Sequence, residues 1–379
     1  MEKKRIKWID GLKLFACLCV FFSHLNGFLY SMCDVKPQTS KLFAVIMGSS
    51  YNFFVNGNFW VCVFCVISGY FASKKRINSI KQLVVALINR YLRFFMPFLG
   101  INIIAVLVAN SVHFDNVKYS TVLNNKWIGE YYNFKATIWI AIRASIKLTS
   151  ELDCPLWMIK ELFIGTCIIY IFRWLLLKMP LKIVNTLGVV VGMAILVVPG
   201  LRALYIYTDI TFFGVFLAQL IGKEKKYEMN NLKKSFMIIL PIILTGGIQR
   251  LIIDCVDTKV TMPEEVFNLC NGIDAFIILI GLNEISQIKR VLESEKIQKV
   301  SKYAFSIFLV HWLVLSAFTL KLYGLLIERM SFEAMYWINF GLSTIIVIAV
   351  SVAYYYIIEN GIEYIMKKIV FFEKKIIKD

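Results

Sequence analysis

Two ionisable residues interrupt an apolar stretch near the start of the chain, Asp10-Gly11-Leu12-Lys13-Leu14-Phe15-Ala16-Cys17-Leu18-Cys19-Val20-Phe21-Phe22-Ser23-His24-Leu25. A neutral imidazole can act at pH 7 as a general base or as a transient acyl carrier. On a helix, residues eleven positions apart return to within roughly 20° of the same face and stand about 16 Å apart along the axis. Lys13 and His24 therefore share one stripe. Ionisable groups at membrane depth usually face a cavity or a partner. Taken singly, His24 reads as a packing histidine and Lys13 as a snorkelling residue at a membrane edge. The shared face favours a functional role.

A second cationic pair, Arg90 and Arg93, is spaced i,i+3 and so lies on one helix face. The guanidinium fork suits phosphate, and two forks together suit a polyphosphate ligand, although both could equally snorkel to lipid headgroups. Ser68-Gly69-Tyr70 closes another apolar run. Its small-small pair permits close helix approach, and packing is its default reading. Trp157 and Glu161 fall i,i+4 on one face, and Glu161 in an apolar helix requires a partner such as Lys160 or His24. His311 is a second imidazole in an apolar run, read by itself as packing. Trp127, Tyr131, Tyr132 and Trp139 could stack on a sugar, but anchoring at the membrane interface explains them more simply. Cys62 and Cys65 form a CxxC without a second pair, so no metal site is expected. Cys33, Cys154 and Cys255 fall in loops where a disulfide is possible but not assignable.

The elements that carry these residues follow from composition. Of 379 residues, 59% are hydrophobic and 15% aromatic, with mean hydropathy +0.68. This is far above a soluble domain and indicates an all-α polytopic membrane protein. The net charge of +17 comes from short basic clusters between apolar runs, as cytoplasmic loops require, and does not indicate nucleic acid. Spans are expected at about 12–30, 53–72, 79–109, 156–177, 183–199, 204–221, 236–253, 266–285, 303–326 and 336–358, about ten in all. Pro97 should kink the third, and residues 137–148 suit an interfacial helix. Basic clusters at the start, after every second span and at the end place both termini in the cytoplasm. The basic start lacks a small-residue cleavage site and reads as a helix rather than a signal peptide. No repeat or appended soluble domain is visible, so residues 1–379 are expected to form a single transmembrane domain in the cell membrane.

Several of these pieces resemble the acyltransferase-3 family of integral-membrane acyltransferases, which includes O-acetyltransferases of bacterial surface polysaccharides. The resemblance lies in Trp8-Ile9-Asp10-Gly11-Leu12-Lys13 through His24, in Ser68-Gly69-Tyr70, in Arg90-Tyr91-Leu92-Arg93, in Leu156-Trp157 and in Tyr303-Ala304-Phe305-Ser306-Ile307-Phe308-Leu309-Val310-His311, in family order along nearly the whole chain. It departs at Lys13, where Arg is frequent, at Tyr70, where Phe is frequent, and in the short spacing from Trp157 to Glu161. The resemblance implies a stand-alone O-acyltransferase that moves an acyl group, usually acetyl, from cytoplasmic acyl-CoA to a hydroxyl of a surface polysaccharide or lipid-linked glycan. On that basis Arg90 and Arg93 hold the CoA phosphates, the pantetheine arm follows the Lys13–His24 stripe, and His24 is the base or acyl carrier. Glu161 orients His24, and Ser68 and Tyr70 line the donor path and could stabilise the oxyanion. No permanently bound cofactor is implied. The competing expectation is a transporter or flippase of a lipid-linked glycan, whose intramembrane charges line a path rather than perform chemistry.

Overall fold

A chain this apolar must satisfy its backbone internally, and helices do so within a single segment. The computed structural model of the protein describes residues 6–30, 51–112, 114–123, 125–132, 135–177, 179–222, 229–245 and 264–378, and among these there is no strand. The principal helices are α1 (Lys7–Tyr30), α2 (Gly57–Ser73), α3 (Ile80–Val112), α4 (Ile138–Lys147), α5 (Trp157–Leu175), α6 (Leu181–Val197) and α7 (Pro199–Gly222). They continue with α8 (Asn231–Ile243), α9 (Glu264–Glu284), α10 (Ser286–Leu292), α11 (Glu295–Ser301), α12 (Ala304–Leu326) and α13, which begins with Phe332–Tyr354. Among the described residues, six stretches are long and apolar enough to cross a membrane: Lys7–Leu29, Ile80–Val112, Cys154–Leu175, Glu264–Glu284, Ala304–Leu326 and Phe332–Ile369. Gly57–Ser73 and Ile206–Ile221 are apolar but shorter. The 236–253 span and the loops that hold Cys33 and Cys255 fall wholly or partly outside the described residues. Cys154 is a buried free thiol, as are Cys62 and Cys65.

α1 packs between α2 and α12, with α10 and α11 crossing beneath its first turns. That crossing explains Gly11: a Cβ there would meet the carbonyl of Leu292 at the end of α10. Gln298 on α11 ties the same corner, donating to the carbonyls of Lys7 and Leu292 at 2.9 Å each. α2 starts at Asn56, whose side chain accepts from the Phe59 amide at 3.1 Å as an N-cap. α2 then runs against α7 along its length.

The closest approach in that pair explains Gly69. Its missing Cβ faces the backbone carbonyl of Thr211, while Gly214 offers its own bare Cα to the backbone of Val66 and Tyr70. Because the obstacles are backbone atoms, no rotamer change can relieve an added methyl. Gly69→Ala should destabilise the protein by about 1–3 kcal/mol, as overpacking does. A lowered thermal midpoint in nanodiscs checks this; an unchanged midpoint would mean the two helices are free to separate.

α3 continues through Pro97, whose carbonyl accepts from the Tyr354 hydroxyl at 2.9 Å. α4 occupies the stretch expected to lie flat in the interface, and it does otherwise. Its successive contacts retreat along α3: Ala136 O with Asn110 at 3.0 Å, Ser145 Oγ with Asn102 at 2.9 Å, Ile146 O with Tyr91 at 2.9 Å. α4 therefore descends beside α3, turns at Leu148 in the left-handed region (φ 51°) and delivers a buried connection to α5. The physical reason is polar anchoring: Asn102 and Ser145 are both fully buried, the Asn102 amide donates to Ser145 Oγ, and that hydroxyl donates on to the carbonyl of Ala141. Trp139, 68% exposed, stays on the outer surface of α4 and is free to anchor at the interface.

Candidate functional site

Helix α1 positions both of its ionisable residues. Lys13 stands near the basic end of the bundle, 3.6 Å from Asp10 and with its ammonium 4.9 Å from the centre of the Phe71 ring. Arg90 and Arg93 on α3 come within electrostatic reach of it. Arg90 is half-buried: one terminal nitrogen donates to Ser68 Oγ at 2.8 Å and to Thr166 Oγ1 at 3.0 Å, and the guanidinium lies 4.4 Å over the Phe94 ring. Arg93 is exposed. Among the described ion pairs neither arginine has a carboxylate partner. Lys74 adds a further charge beside them, donating to the Tyr70 hydroxyl with its ammonium 4.0 Å from that ring. Lys13 and Arg90, half-buried, and Arg93 and Lys74, exposed, thus gather four positive charges beside Asp10, and the surplus suits an anionic ligand.

The Arg90–Ser68–Thr166 triangle holds the half-buried guanidinium in place. Ser68 and Thr166 also bond each other at 2.9 Å, and Thr166 donates back to Leu162 O at 2.7 Å. Thr166 carried no signal in the sequence, because a threonine bonding back to its own helix is common in apolar helices.

Further along α1, His24 meets His311 of α12. His24 Nδ1 lies 2.8 Å from His311 Nε2, with the rings stacked at 5.0 Å and 12° apart. His311 Nδ1 in turn lies 3.0 Å from the carbonyl of Ile307. A carbonyl only accepts, so His311 Nδ1 carries the hydrogen and its Nε2 presents a lone pair when neutral. His24 Nδ1 must then donate to that lone pair, which leaves His24 Nε2 unprotonated. His311 is fully buried, whereas His24 is half-buried, and no hydrogen bond engages His24 Nε2 among the described residues. The pair therefore presents one basic nitrogen with a fixed tautomer.

An aromatic cluster packs on the His24 ring toward the end of the bundle opposite the cations. Trp127 stands 5.8 Å and Trp312 5.6 Å from the His24 ring, 4.8 Å from each other, and Tyr131 packs edge-on to Trp312 at 5.2 Å. Tyr131 and Tyr132 are held well above the usual phenol range, chiefly by burial, and burial likewise holds the Asp153 carboxyl well above the usual carboxylate range.

Glu161 does not stand against the imidazole pair. Its neighbours are Lys160 and, across the α2–α5–α7 contact, Cys65 and Tyr207, while Trp157 packs on Tyr207 at 5.0 Å. The group on His24 Nδ1 is His311, which sequence reading set aside as packing. Its signals are a second imidazole in another apolar run and its place at the end of the Tyr303–His311 stretch that carries the family resemblance. No group of His, Cys, Asp or Glu among the described residues could hold a metal ion.

A bundle of membrane-crossing helices with a cation cluster at one end, and a tautomer-fixed imidazole pair further along the same helix, defines a multi-pass membrane protein equipped for group transfer. The family model of the acyltransferase-3 family, described as an acyltransferase domain, matches residues 6–356, nearly the whole chain, and the protein belongs to that family. It is a membrane acyltransferase. No curated protein and no solved structure matches the chain.

Proposed function

We propose that the protein is an O-acyltransferase that takes an acyl group, acetyl in the first instance, from cytoplasmic acyl-CoA and delivers it to a hydroxyl of a surface polysaccharide or lipid-linked glycan. The observation that carries this reading is the His24 Nε2 that no hydrogen bond engages among the described residues, further along the helix whose Lys13 belongs to the cation cluster. In this scheme the chain forms one domain of ten spans with both termini in the cytoplasm, and the cation cluster opens inward.

Arg90 and Arg93 hold the CoA phosphates, and Lys13 and Lys74 add to the field. Lys13 and His24 are separated along α1 by about 16 Å, a distance a pantetheine arm can bridge. The thioester then lies beside His24. His24 Nε2 accepts the proton of the acceptor hydroxyl as its oxygen attacks the thioester carbonyl. The C–O bond forms, the C–S bond breaks, and the imidazolium returns the proton to the CoA thiolate. Ser68 and Tyr70 belong to the donor path: Ser68 by holding Arg90, Tyr70 by pairing with Lys74. Glu161 keeps a supporting place on the same path through the α2–α5 contact.

Purified protein in nanodiscs, mixed with radiolabelled acetyl-CoA and a membrane glycan extract, should release CoA and form base-labile ester. A transporter or flippase would consume no donor, so the absence of both products from well-folded protein would remove the reading.

The tautomer argument gives His311 a distinct signature. His311→Ala deprives His24 Nδ1 of its acceptor and should lower kcat by about 10- to 1000-fold, with the KM for acetyl-CoA little changed. In His311→Gln an amide oxygen accepts the same hydrogen bond and should recover part of that loss. Equal damage in both variants would mean that His311 only fills space.

A further inference from the structure

We infer that an anionic phospholipid of the bilayer occupies a site on the outer surface of the bundle, with its phosphate on Lys302, Tyr303 and Tyr356 and one acyl chain in an apolar cavity between α3, α12 and α13. Such a site is independent of the chemistry at His24. The cavity measures about 160 Å³ and is lined by Ile101 of α3, Val310 and Leu313 of α12, and Val350, Ala353 and Ile357 of α13 and its continuation. Its remaining walls are aliphatic except for Tyr354, whose hydroxyl is spent on the carbonyl of Pro97. The cavity therefore offers nothing to a polar ligand. Ile357 is 78% exposed, so the cavity opens sideways, toward the hydrocarbon of the bilayer. A dry apolar cavity of about 150 Å³ holds one benzene-sized group, equivalent to about six carbons of an acyl chain.

Lys302 closes the lower end. It follows α11, which crosses beneath the first turns of α1, and so lies at the basic end of the bundle. Its exposed ammonium stands 4.8, 5.3 and 5.1 Å from the ring centres of Tyr303, Tyr355 and Tyr356 and donates to the Tyr356 hydroxyl at 3.1 Å. Three rings thus hold one cation in place. The hydroxyls of Tyr303 and Tyr356 lie 3.1 Å apart. One donates to the other, so one hydroxyl hydrogen is left for an outside acceptor, together with at least one N–H of the ammonium. Lys302 has no carboxylate among the described ion pairs, and Glu363, within electrostatic reach of Tyr355, is paired with Lys367 at 4.0 Å.

A positive charge with a hydroxyl donor beside it matches the anionic oxygens of a phosphodiester. Lys302 itself fills the aromatic cage that a quaternary ammonium would need, so a choline headgroup meets a like charge. Head and chain sites are continuous. Ile357 follows Tyr356 directly, and Val310 stands about 10 Å above Tyr303 along α12. One leaflet's share of the hydrocarbon is about 15 Å deep, so an acyl chain anchored at Lys302 passes the whole cavity. Val310 and Leu313 flank His311 and Trp312 in the sequence. The occupant therefore backs the turn of α12 that carries one imidazole of the pair.

Full-length protein, delipidated in detergent and titrated with dioleoyl phosphatidylglycerol or dioleoyl phosphatidylcholine, tests the site by native mass spectrometry. The wild type should hold one phosphatidylglycerol about fivefold more tightly than phosphatidylcholine, the discrimination that one lysine at a membrane surface supplies. Lys302→Gln, a surface change, should abolish that preference. Ala353→Phe fills the cavity and should weaken both lipids by about tenfold or more. The thermal midpoint without lipid reports that each variant is folded, and Val350→Phe fills the same cavity from the neighbouring turn if Ala353→Phe does not fold. Glycerol 3-phosphate, which carries the charge without the chains, should not displace the lipid. Equal retention of the two lipids by the wild type, or wild-type retention of phosphatidylglycerol in both the Lys302 and the cavity variants, would overturn the site. Displacement by glycerol 3-phosphate would overturn the lipid as its occupant.

Discussion

His24→Ala is expected to reduce acyl transfer by about 10²- to 10⁴-fold, the range by which a positioned general base accelerates proton transfer. The loss should fall on kcat. Acetyl-CoA affinity should persist, because the cations proposed to hold the phosphates gather near Lys13, about 16 Å from His24 along α1. The substitution is tolerable structurally: His24 is half-buried, and its loss leaves His311 bonded to the Ile307 carbonyl, so no donor is stranded in the core. Measured abundance and donor affinity therefore separate lost chemistry from lost folding. The same position distinguishes two modes of action. A transient acyl carrier would accumulate label on the protein after brief exposure to labelled acetyl-CoA without acceptor, with a burst of CoA release. A general base would show neither. A His24→Ala protein that acylates at the wild-type rate would remove the imidazole from the mechanism.

The second large effect is expected at the donor anchor. Hydrogen bonds to charged groups contribute about 1.5–3 kcal/mol each. Replacing Arg90 and Arg93 together by Ala should therefore weaken acetyl-CoA binding by about 10²-fold or more, with some loss of additivity because the two share one ligand. The fold has a means of surviving the change. When the Arg90 head is removed, Ser68 and Thr166 still bond each other at 2.9 Å, and Thr166 still reaches the Leu162 carbonyl. Arg90→Lys with Arg93→Lys keeps the charge and loses the planar fork, so its affinity should lie between the two. Wild-type binding should also weaken as salt rises, since the attraction is partly exposed and screened. Calorimetric titration with acetyl-CoA at two ionic strengths measures both effects. Unchanged affinity in the double alanine variant would move the donor site elsewhere.

Much of the architecture was legible because it follows from one-dimensional quantities. A hydrophobic fraction of 59% in runs of membrane length dictates helices, and the described residues are predominantly helical with no strand among them. The eleven-residue interval put Lys13 and His24 on one helix by geometry alone. The i,i+3 spacing likewise put Arg90 and Arg93 side by side. The small-small pair at Ser68-Gly69 announced a close helix crossing, and α7 makes it.

What the sequence could not contain is which face meets which. The partner of His24 lies 287 positions away on α12, and nothing local to either histidine distinguishes a paired imidazole from a packed one. Glu161 carried the expected chemistry for orienting His24, yet α5 faces it toward α2 and α7, while α1 turns His24 toward α12. The stretch from 137 to 148 read as interfacial because it is short and charged. Its descent beside α3 depends on Asn102 finding Ser145, a pairing 43 positions apart. Helix formation is set by neighbours along the chain, so periodicity reveals it. The site is set by contacts between helices, and these depend on how side chains of distant segments interlock, which no local pattern encodes.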